Sequence, residues 1–333
     1  MSTLDPAEQA ALRRSTGVGF RRPMLATLTG RRFSDAGWVF ERKLDGVRAI
    51  VARDGAGTAL WSRNELRMDR TYPELVTALD HCGPTRFVAD GEIVAFVGRQ
   101  TSFARLQQRI GISDPARARR SGVAVYLYLF DLLVLDDVDV TGLPLRTRKR
   151  LLRDAVEFAD PLRYSAHRNT DGAAYYAQAC RRGWEGLIAK RADAPYRPGR
   201  SRDWLKLKCV RDQEFVVGGF TDPAGSRSGF GALLLGYHDG GVLRYAGKVG
   251  TGYDQRTLAS LRARLDALTQ PTSPFADRVP ERGVHWVVPE LVAQVGFSEW
   301  TSDGMLRHPR FQGLRTDKAA ADVVRETRVE KGS

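Results

Sequence analysis

Hydrophobic and polar residues alternate along several short stretches in the first half of the chain, which is the pattern of half-buried strands. Residues 38–62 alternate in this way and are interrupted by Asp54-Gly55-Ala56-Gly57, a sequence typical of a hairpin turn. Phe87-Val88-Ala89 predicts a further strand. The most apolar run, 123–135, mixes aromatic and aliphatic side chains and predicts a central strand.

Helical spacing separates these predicted strands. Residues 71–80 predict a helix, and residues 145–158 predict an amphipathic helix with a basic face. Asp171 stands where it can cap a further helix that runs through Cys180. Residues 1–22 are polar and basic, and they predict a short helix in a loose lead-in with little core of its own. Strands and helices mixed in this way indicate an α+β fold.

The pattern changes near Val210-Arg211-Asp212. Beyond this point short strands separated by glycine turns dominate, and one helix over about 255–269 interrupts them. Five short strands with one inserted helix are typical of a small Greek-key barrel of the OB type. The sequence therefore predicts three segments: a lead-in over 1–22, a first domain over 23–211, and an OB-fold domain over 212–333 that contains a basic motif over 307–318.

Composition narrows the class of protein. The chain has 333 residues, of which 42% are hydrophobic, so it can bury a sizeable core in two domains. Its net charge of +13 favours a polyanionic partner, nucleic acid first and an anionic membrane surface second. The spacing of Cys82, Cys180 and Cys209 matches neither a zinc motif nor a disulfide framework, and no apolar run is long enough to span a bilayer. We therefore predict reduced thiols and a soluble cytoplasmic protein.

One lysine stands out as a candidate nucleophile. Lys43 ends a predicted strand and is followed at once by an Asp45-Gly46 turn. Arg42 and Arg48 would place like charges close to it, which lowers the pKa of an amine and makes it nucleophilic near neutral pH. The alternative for this stretch is a polar hairpin whose charges are solvated.

Charged residues recur at predicted strand ends in six elements: Lys43-Leu44-Asp45-Gly46-Val47-Arg48, Ser62-Arg63-Asn64, Asp90-Gly91-Glu92, Phe130-Asp131, Glu185-Gly186 and Lys206-Leu207-Lys208. The basic end over 307–318 adds a seventh. In order and separation these elements resemble the nucleotidyltransferase motifs of ATP-dependent DNA ligases over 23–318. Residues 247–252 and 297–309 look most like the ligases of bacterial non-homologous end joining.

This resemblance implies an α+β nucleotidyltransferase domain with mixed and antiparallel sheets, an ATP-grasp-like ligase fold, followed by an OB-fold β-barrel. It also implies a reaction in three steps. Lys43 attacks the α-phosphorus of ATP and forms lysyl-AMP, AMP passes to the 5′-phosphate of a nick, and the 3′-hydroxyl displaces AMP. All three steps are transfers at phosphorus, which need cations for phosphate oxygens and carboxylates for Mg²⁺, with Mn²⁺ as a second choice.

The resemblance assigns roles to the motif positions. Catalysis is expected of Lys43, Asp45, Lys206 and Lys208. Nucleotide binding is expected of Glu41, Arg48, Glu92, Phe130, Lys190, Arg315 and Lys318, with Phe130 stacking on adenine. Metal binding is expected of Glu185 and Glu92, and DNA binding of Arg63, Arg307 and Arg310. The cations of the tail are expected to be spare charges that reach pyrophosphate when the second domain closes about a hinge near 210–212.

Several of these positions also have a structural interpretation. Phe130 in an apolar strand can belong to the core, and Lys206 and Lys208 can form one solvated strand face. Asn64 stands where a glycine is often found and tolerates a left-handed backbone. Arg227 lies in a loop over 221–230 that either touches DNA or is an ordinary mobile loop.

The implied partners are nicked or broken duplex DNA, a Ku-type end-binding protein and a repair polymerase acting in trans. The enzyme is expected to be a monomer. It is expected in the nucleoid region of the cytoplasm and away from membranes. Three other functions compete: an RNA ligase, an mRNA-capping type of guanylyltransferase, and a catalytically idle DNA clamp. The pattern from Arg310 to Lys318 favours a DNA ligase over the capping enzyme. Pure phosphate binding would not require Glu92 and Glu185 near the DNA, which argues against the clamp.

Overall fold

The computed structural model describes residues 4–209, 212–223 and 229–326 of the chain. These residues fall into two compact units, divided after Cys209. Val210 and Arg211 of the expected hinge and Arg227 of the expected loop lie outside the described residues.

The first unit contains strands β1 to β13 and helices α1 to α6. The strands are β1 (Arg13–Arg14), β2 (Met24–Leu28), β3 (Trp38–Lys43), β4 (Val47–Asp54), β5 (Gly57–Ser62), β6 (Phe87–Val97), β7 (Gln100–Thr101), β8 (Val125–Leu135), β9 (Val138–Asp139), β10 (Leu162–Tyr164), β11 (His167–Asn169), β12 (Gly186–Arg191) and β13 (Gly199–Lys208). The helices are α1 (Pro6–Ala11), α2 (Pro73–Leu79), α3 (Phe103–Gln107), α4 (Pro115–Arg119), α5 (Leu145–Ala155) and α6 (Gly172–Arg181).

These strands form two sheets. The larger sheet has the order β1-β9-β8-β6-β4-β5, with β10 added to β8 and β7 to β6. The smaller sheet has the order β11-β3-β12-β13-β2. The predicted hairpin at 54–57 joins β4 to β5 within one sheet. By contrast, β3 and β4 belong to different sheets, so the turn after Lys43 crosses between sheets and is not the polar hairpin of the alternative interpretation.

Apolar side chains from both sheets meet in one core cluster. Ile50 and Phe130 of the larger sheet pack with Met24 and Trp204 of the smaller sheet. The outer face of the larger sheet is covered in part by α2, and the outer face of the smaller sheet is covered by α6. Each sheet therefore has one face toward a helix and one face toward the other sheet. The charged motifs lie on the faces that the two sheets turn toward each other.

The lead-in contributes more to the core than its polar sequence predicts. Leu4 is 5% exposed and belongs to the core of the larger sheet, and Ala11 and Leu12 pack against it. The side chain of Glu8 accepts a hydrogen bond from the hydroxyl of Thr147 on α5. Strand β1 pairs with β9, so residues 4–14 are an integral part of the first unit.

The prediction of reduced thiols is wrong for two cysteines. Cys180 and Cys209, 29 residues apart in the chain, form a disulfide with their Cα atoms 5.2 Å apart. Cys180 lies in α6, and the backbone N–H of Cys209 donates to the carbonyl of Glu185 at 2.9 Å. The pairing of β12 with β13 creates this proximity, which cysteine spacing does not reveal. Cys82 is a buried free thiol.

Replacing Cys180 with serine is expected to lower the free energy of unfolding of the first unit by about 3 kcal/mol, because a cross-link that closes a loop of this length restricts the unfolded chain. Urea unfolding followed by tryptophan fluorescence measures the change. A reducing agent should shift the unsubstituted chain by a similar amount and leave the variant unmoved. Equal urea midpoints for the variant and the oxidised unsubstituted chain would contradict the prediction.

The second unit is mainly β-structure. Its elements are β14 (Asp212–Thr221), β15 (Leu233–Asp239), β16 (Val242–Val249), α7 (Gln255–Ala267), β17 (Thr269–Gln270), β18 (Val284–Val287), β19 (Val292–Gly296), β20 (Glu299–Trp300), β21 (Leu306–Arg307), β22 (Arg310–Leu314) and a 3₁₀ helix (Ala320–Asp322).

Strand β14 organises this unit because it pairs along its length with three others. Its first half pairs with β19, its second half pairs with β18, and β15 lies on its other side. The register shifts at Gly218, where an added Cβ would lie 2.4 Å from the ring of Phe275. A glycine bulge of this kind bends a strand so that it can change partners, as curved OB-type sheets require.

The predicted helix of the second unit is confirmed as α7. Asp254 caps it by accepting from the backbone N–H of Thr257 at 2.7 Å. Leu258, Leu261 and Leu265 repeat at helical spacing and are buried against the strands. None of the helices in the described part of the chain is both long enough and apolar enough to traverse a bilayer.

Candidate active site

The register of β3, β12 and β13 brings the lysine motifs together. Lys43 on β3 and Lys208 on β13 both pair with Gly186 on β12, and Glu41 and Lys206 both pair with Ile188. Residues two apart in a strand share a face, so both rows lie on the same face of the sheet. The prediction that Lys206 and Lys208 point the same way is confirmed, and both side chains are half-buried on this face.

Two glycines permit the close packing around Lys43. An added Cβ on Gly46 would lie 2.1 Å from the carbonyl oxygen of Ile93, and one on Gly186 would lie 2.0 Å from that of Leu207. Gly186 also has a φ of +149°, which disfavours any side chain. These glycines therefore let the lysine turn and strand β12 approach neighbouring backbone directly.

Asp45 is held at the end of the same turn. Its backbone N–H donates to the hydroxyl of Thr101 at 3.2 Å, and its Oδ2 accepts from the backbone N–H of Phe103 at 3.0 Å. Phe103 is the first residue of α3, and the N–H groups at the start of a helix favour a carboxylate. The Asp45 carboxylate thus anchors the turn that presents Lys43.

The charges around Lys43 differ from the sequence prediction. The ammonium of Lys43 forms an ion pair with Glu185, the last residue before β12. Arg42 points to the opposite face of β3 and stacks on the ring of Trp184 at 4.6 Å. Arg48 is paired with Asp90. The expected like-charge environment is therefore wrong, because a carboxylate rather than an arginine is the partner of the amine.

Arg48 is fixed by a network that sequence reasoning missed. Its guanidinium donates to both oxygens of Asp90 and to the carbonyl of Met24, and the hydroxyl of Tyr196 donates to Asp90 at 2.6 Å. Burial lowers the pKa of Arg48, but the Asp90 carboxylate outweighs it and the net shift is upward. Glu92 lies directly opposite Arg48 in the β4–β6 register. Arg48 and Glu92, which are both expected to bind the nucleotide, are thus adjacent.

Phe130 belongs to the core, with 7% of its surface exposed. Its ring meets that of Trp204 edge to face at 6.0 Å. The Arg48 guanidinium lies 4.8 Å from the ring centroid and the Lys190 ammonium 4.1 Å from it. Cations on an aromatic face stabilise this arrangement. Stacking of Phe130 on adenine stays a prediction.

Glu41 is the counterion of two buried lysines. Its carboxylate accepts from Lys149 at 2.7 Å and from Lys190 at 2.8 Å, and the hydroxyl of Ser165 lies 3.3 Å away. Burial raises the pKa of Glu41, but the two ammonium groups outweigh it and leave the pKa below its ordinary value. Burial lowers the pKa of Lys190 to about 8, against the opposing effect of Glu41. Both carboxylate oxygens are engaged within the protein, and nucleotide binding by Glu41 stays a prediction.

The basic face predicted for residues 145–158 is only partly solvated, because Arg146 and Arg153 are exposed whereas two other cations of α5 are buried. Arg148 is fully buried and donates to both oxygens of the equally buried Asp131 at 2.7 and 2.9 Å, and Lys149 is 1% exposed. Leu145, Arg148 or Lys149, and Leu152 follow one another at intervals of three or four residues. That spacing places these cations within the apolar stripe of α5, a signal that could have identified them.

Arg63 lies in the turn that follows β5, and its side chain is half-buried. The hydroxyl of Ser62 shapes this turn by accepting from the backbone N–H groups of Asn64 and Leu66 at 3.3 and 3.1 Å. The left-handed residue is Glu65, with a φ of 62°, so the left-handed backbone proposed for Asn64 is shifted by one residue.

Asp171 occupies the predicted N-cap position of α6, but its side chain makes no capping hydrogen bond.

The tail cations are not the spare charges that the sequence predicts. Three of them pair within the second unit, each at 2.8 Å: Arg307 with Glu299, Arg315 with Asp317, and Lys318 with Glu214. Arg310 is exposed at the start of β22. Nucleotide binding by Arg315 and Lys318 stays a prediction.

The donor set suits magnesium bound partly by substrate. Glu92 and Glu185 supply hard carboxylate oxygens, and no group of three or more potential ligands that could hold a metal exists among the described residues. Magnesium commonly takes one or two protein carboxylates and completes its shell with water and phosphate oxygens. The two glutamates fit that mode and do not fit an all-protein cage.

Comparisons with known proteins match both units of the chain. The family model for the ATP dependent DNA ligase domain matches residues 23–208, and that for the ATP dependent DNA ligase C terminal region matches residues 226–318. A solved structure described as mycobacterial DNA ligase D complexed with ATP and MES has 36% identity and a TM-score of 0.65, covering 91% of this chain and 98% of that one. The predicted nucleotidyltransferase and OB-like architecture is confirmed.

Two relatives from Mycobacterium tuberculosis are similar along most of this chain. The multifunctional non-homologous end joining DNA repair protein LigD is 39% identical over 313 residues, which cover 91% of this chain and 40% of LigD. DNA ligase C is 34% identical over 322 residues, which cover 92% of this chain and 87% of that protein. This chain thus spans less than half the length of the LigD relative. With both family models matched in order and the motif lysines gathered on one sheet face, the chain belongs to the ATP-dependent DNA ligases.

Proposed function

We propose that this protein seals breaks in duplex DNA with ATP through a lysyl-AMP intermediate. The observation that carries the proposal is the convergence of Lys43, Glu185, Lys206 and Lys208 at the end of one sheet face. Three lysines beside one carboxylate provide one amine that can react and two ammonium groups that neutralise phosphate charge. Phosphoryl and nucleotidyl transfer depend mainly on such positioning and neutralisation.

In the first step the Nζ of Lys43 attacks the α-phosphorus of ATP. The ammonium first loses one proton to water and becomes a nucleophilic amine; a P–N bond then forms, the P–O bond to pyrophosphate breaks, and the nitrogen loses a second proton. Glu185 already accepts a hydrogen bond from this ammonium, so it is placed to receive a proton. Lys206 and Lys208 are assigned to the non-bridging oxygens of the α-phosphate. Mg²⁺ bound by Glu92 and Glu185 would supply further neutralisation of phosphate charge.

The other nucleotide contacts divide into direct and supporting ones. We assign Arg48 and Glu92 to the ribose and the ring of Phe130 to the adenine. Lys190 has a supporting role, because its buried ammonium contacts the rings of both Phe130 and Trp204 and so holds the Phe130 ring in place. Glu41 acts one step further away, as the counterion that keeps Lys190 in place.

The later steps pass AMP to a 5′-phosphate and then join the 3′-hydroxyl to the same phosphate with loss of AMP. We assign Arg63 to the 5′-phosphate, since a guanidinium can bind two of its oxygens at once. The identity with LigD supports a role in bacterial end joining. An end-binding protein of the Ku type and a repair polymerase are its expected partners there, and a DNA substrate places the enzyme with the nucleoid.

Incubation with α-labelled ATP and Mg²⁺, followed by denaturing electrophoresis, tests the first step. Transfer of the label to nicked duplex DNA and sealing of that DNA test the remaining steps. Labelling by GTP in place of ATP would indicate a capping-type guanylyltransferase, and preference for nicked RNA would indicate an RNA ligase. DNA binding without any label would indicate an idle clamp.

Arg63→Ala is expected to slow nick sealing by about 10²-fold and to slow enzyme adenylation far less, because the 5′-phosphate enters only at the second step. Single-turnover assays of the two steps measure the difference. Arg63→Lys should recover part of the sealing rate through its charge alone. Equal loss of both rates would place Arg63 in the ATP site or in the fold.

A further inference from the structure

A cavity of about 730 Å³ opens beside the lysine turn, on a face that the proposed reaction does not use. We call it the Arg42 pocket, and its lining residues are Arg42, Val97, Arg99, Gln100, Arg182 and Trp184. They come from the end of β3, the turn between β6 and β7, and the segment between α6 and β12. Gln100 ties two of these segments together by donating to the carbonyl of Arg182 at 3.3 Å.

The Arg42 pocket contains three guanidinium groups, and none of the described residues that line it carries a carboxylate. Elsewhere in this unit buried arginines have acidic partners, as Arg148 has Asp131. The Nε of Arg42 is buried and forms no hydrogen bond with any described residue. Burial also lowers the pKa of Arg42, and only tyrosines oppose that effect. The pocket thus has cationic donors that the described part of the protein does not neutralise.

The geometry of Trp184 indicates the kind of ligand. The guanidinium of Arg42 lies 4.6 Å from its ring centroid and that of Arg182 lies 5.6 Å from it. Tyr175 packs against the same indole edge to face at 5.8 Å. The aromatic surface is therefore occupied, so the pocket presents N–H donors rather than a platform on which a base could stack. Planar guanidinium donors suit phosphate oxygens.

The position of the pocket distinguishes its ligand from the nucleotide at Lys43. Arg42 directly precedes Lys43, and Trp184 directly precedes Glu185. Successive residues of a strand point to opposite faces, so Arg42 and the Lys43 amine open to different sides of β3. A phosphate in the pocket would lie close to the Lys43 amine, at a distance that a few residues of chain would span. It would be a different phosphate from the one that the amine attacks.

We propose that the Arg42 pocket binds a backbone phosphate of the DNA strand next to the break. This proposal rests on the proposed function, because it takes the DNA at Lys43 as the source of the phosphate. Bound in this way, the strand would be held at a fixed distance from the reacting 5′-phosphate. Arg42, Arg99 and Arg182 are then positioning residues for the DNA.

Titration of a fluorescent nicked duplex with the full chain, over a series of salt concentrations, tests the proposal by anisotropy. Arg99→Ala and Arg182→Ala each remove one exposed guanidinium, and Arg120→Ala, an exposed arginine at the end of α4, removes the same charge elsewhere. Relative to Arg120→Ala, each pocket variant should weaken binding about tenfold. It should also reduce the slope of log affinity against log salt by about 1. Arg182→Lys should recover part of both effects.

The alternatives give different results. Pocket variants that bind nicked DNA with the affinity and salt slope of Arg120→Ala would overturn the proposal and leave the proposed function intact. If the pocket takes free pyrophosphate instead, the variants would lose sensitivity of the labelling reaction to added pyrophosphate while their DNA affinity matches that control, which also overturns it. An unsubstituted chain that does not bind nicked duplex at all would overturn both proposals.

Discussion

Lys43→Ala is expected to yield no labelled protein from α-labelled ATP, under conditions in which the unsubstituted chain is labelled within minutes. The reason is chemical rather than structural, since the variant lacks the only amine at the junction of β3, β12 and β13 that the proposal uses as nucleophile. Lys43→Arg should be equally inactive, because a guanidinium stays protonated and has no lone pair to attack phosphorus.

Two controls separate loss of the nucleophile from loss of the fold. Lys248→Ala removes an exposed lysine that pairs with Glu281 in the second unit, and it should keep its label. The Lys43→Ala protein should still unfold in one cooperative urea transition, with a stability lowered only by the lost ion pair with Glu185, because Lys43 is not part of the apolar core. It should also retain some sealing of DNA that is supplied already adenylated.

The chemistry of the label provides an independent check. A lysyl phosphoramidate is cleaved by acid and survives alkali, whereas an adenylate on a carboxylate such as Glu185 is lost in alkali. A label that persists in Lys43→Ala, or that is lost in alkali from the unsubstituted chain, would move the covalent site away from Lys43. Mapping the modified peptide by mass spectrometry would then identify the residue.

Glu41→Gln is expected to destabilise the first unit by about 3–5 kcal/mol, because it leaves the ammonium groups of Lys149 and Lys190 buried without a carboxylate. Glu41 is 2% exposed, so water cannot take over its role. Urea unfolding measures the loss, with Glu157→Gln as a control at an exposed glutamate of the same unit. A change below about 1 kcal/mol would contradict this assignment.

The destabilisation should depend on pH in a defined direction. In the folded chain burial lowers the pKa of Lys190 to about 8 from an ordinary value of 10.5. Between these values the unfolded chain holds more protons, so stability rises with pH there. Without Glu41 the buried lysines can escape their unpaired charge by losing protons. The deficit of the variant should therefore shrink as the pH rises from 7 through about 8, where Lys190 also loses its proton in the unsubstituted folded chain.

A second substitution tests whether unpaired charge is the cause. Adding Lys190→Met to Glu41→Gln removes one of the two uncompensated ammonium groups and keeps a side chain of similar length. The double variant should be more stable than Glu41→Gln alone. If the two substitutions destabilise additively instead, the lysine is not the source of the penalty.

Several features of this protein could be predicted from its sequence because they depend on neighbours in the chain. Strand periodicity placed Lys43 at the end of β3 and put Lys206 and Lys208 on one face of β13, and the structure confirms both. The glycine turns and helix of the second unit are also local signals, and the structure contains them. The order of the motifs was sufficient to identify the ligase family, which the family models confirm.

The partners of the charged residues could not be predicted in this way. Lys43 pairs with Glu185, 142 residues later, and Lys149 pairs with Glu41, 108 residues earlier. Proximity in the chain instead suggested that Arg42 and Arg48 surround Lys43. That interpretation failed because a strand sends neighbouring side chains to opposite faces, and because Asp90 is the partner of Arg48.

The sequence by itself determined the local elements, the order of the motifs and the family. Only the tertiary structure decided which charges are paired, that Arg148, Lys149 and Lys190 are buried, and that Cys180 and Cys209 form a disulfide. The physical reason is that hydrogen-bonding and side-chain periodicity act over a few residues, whereas ion pairs and cross-links form wherever strand pairing brings two side chains together.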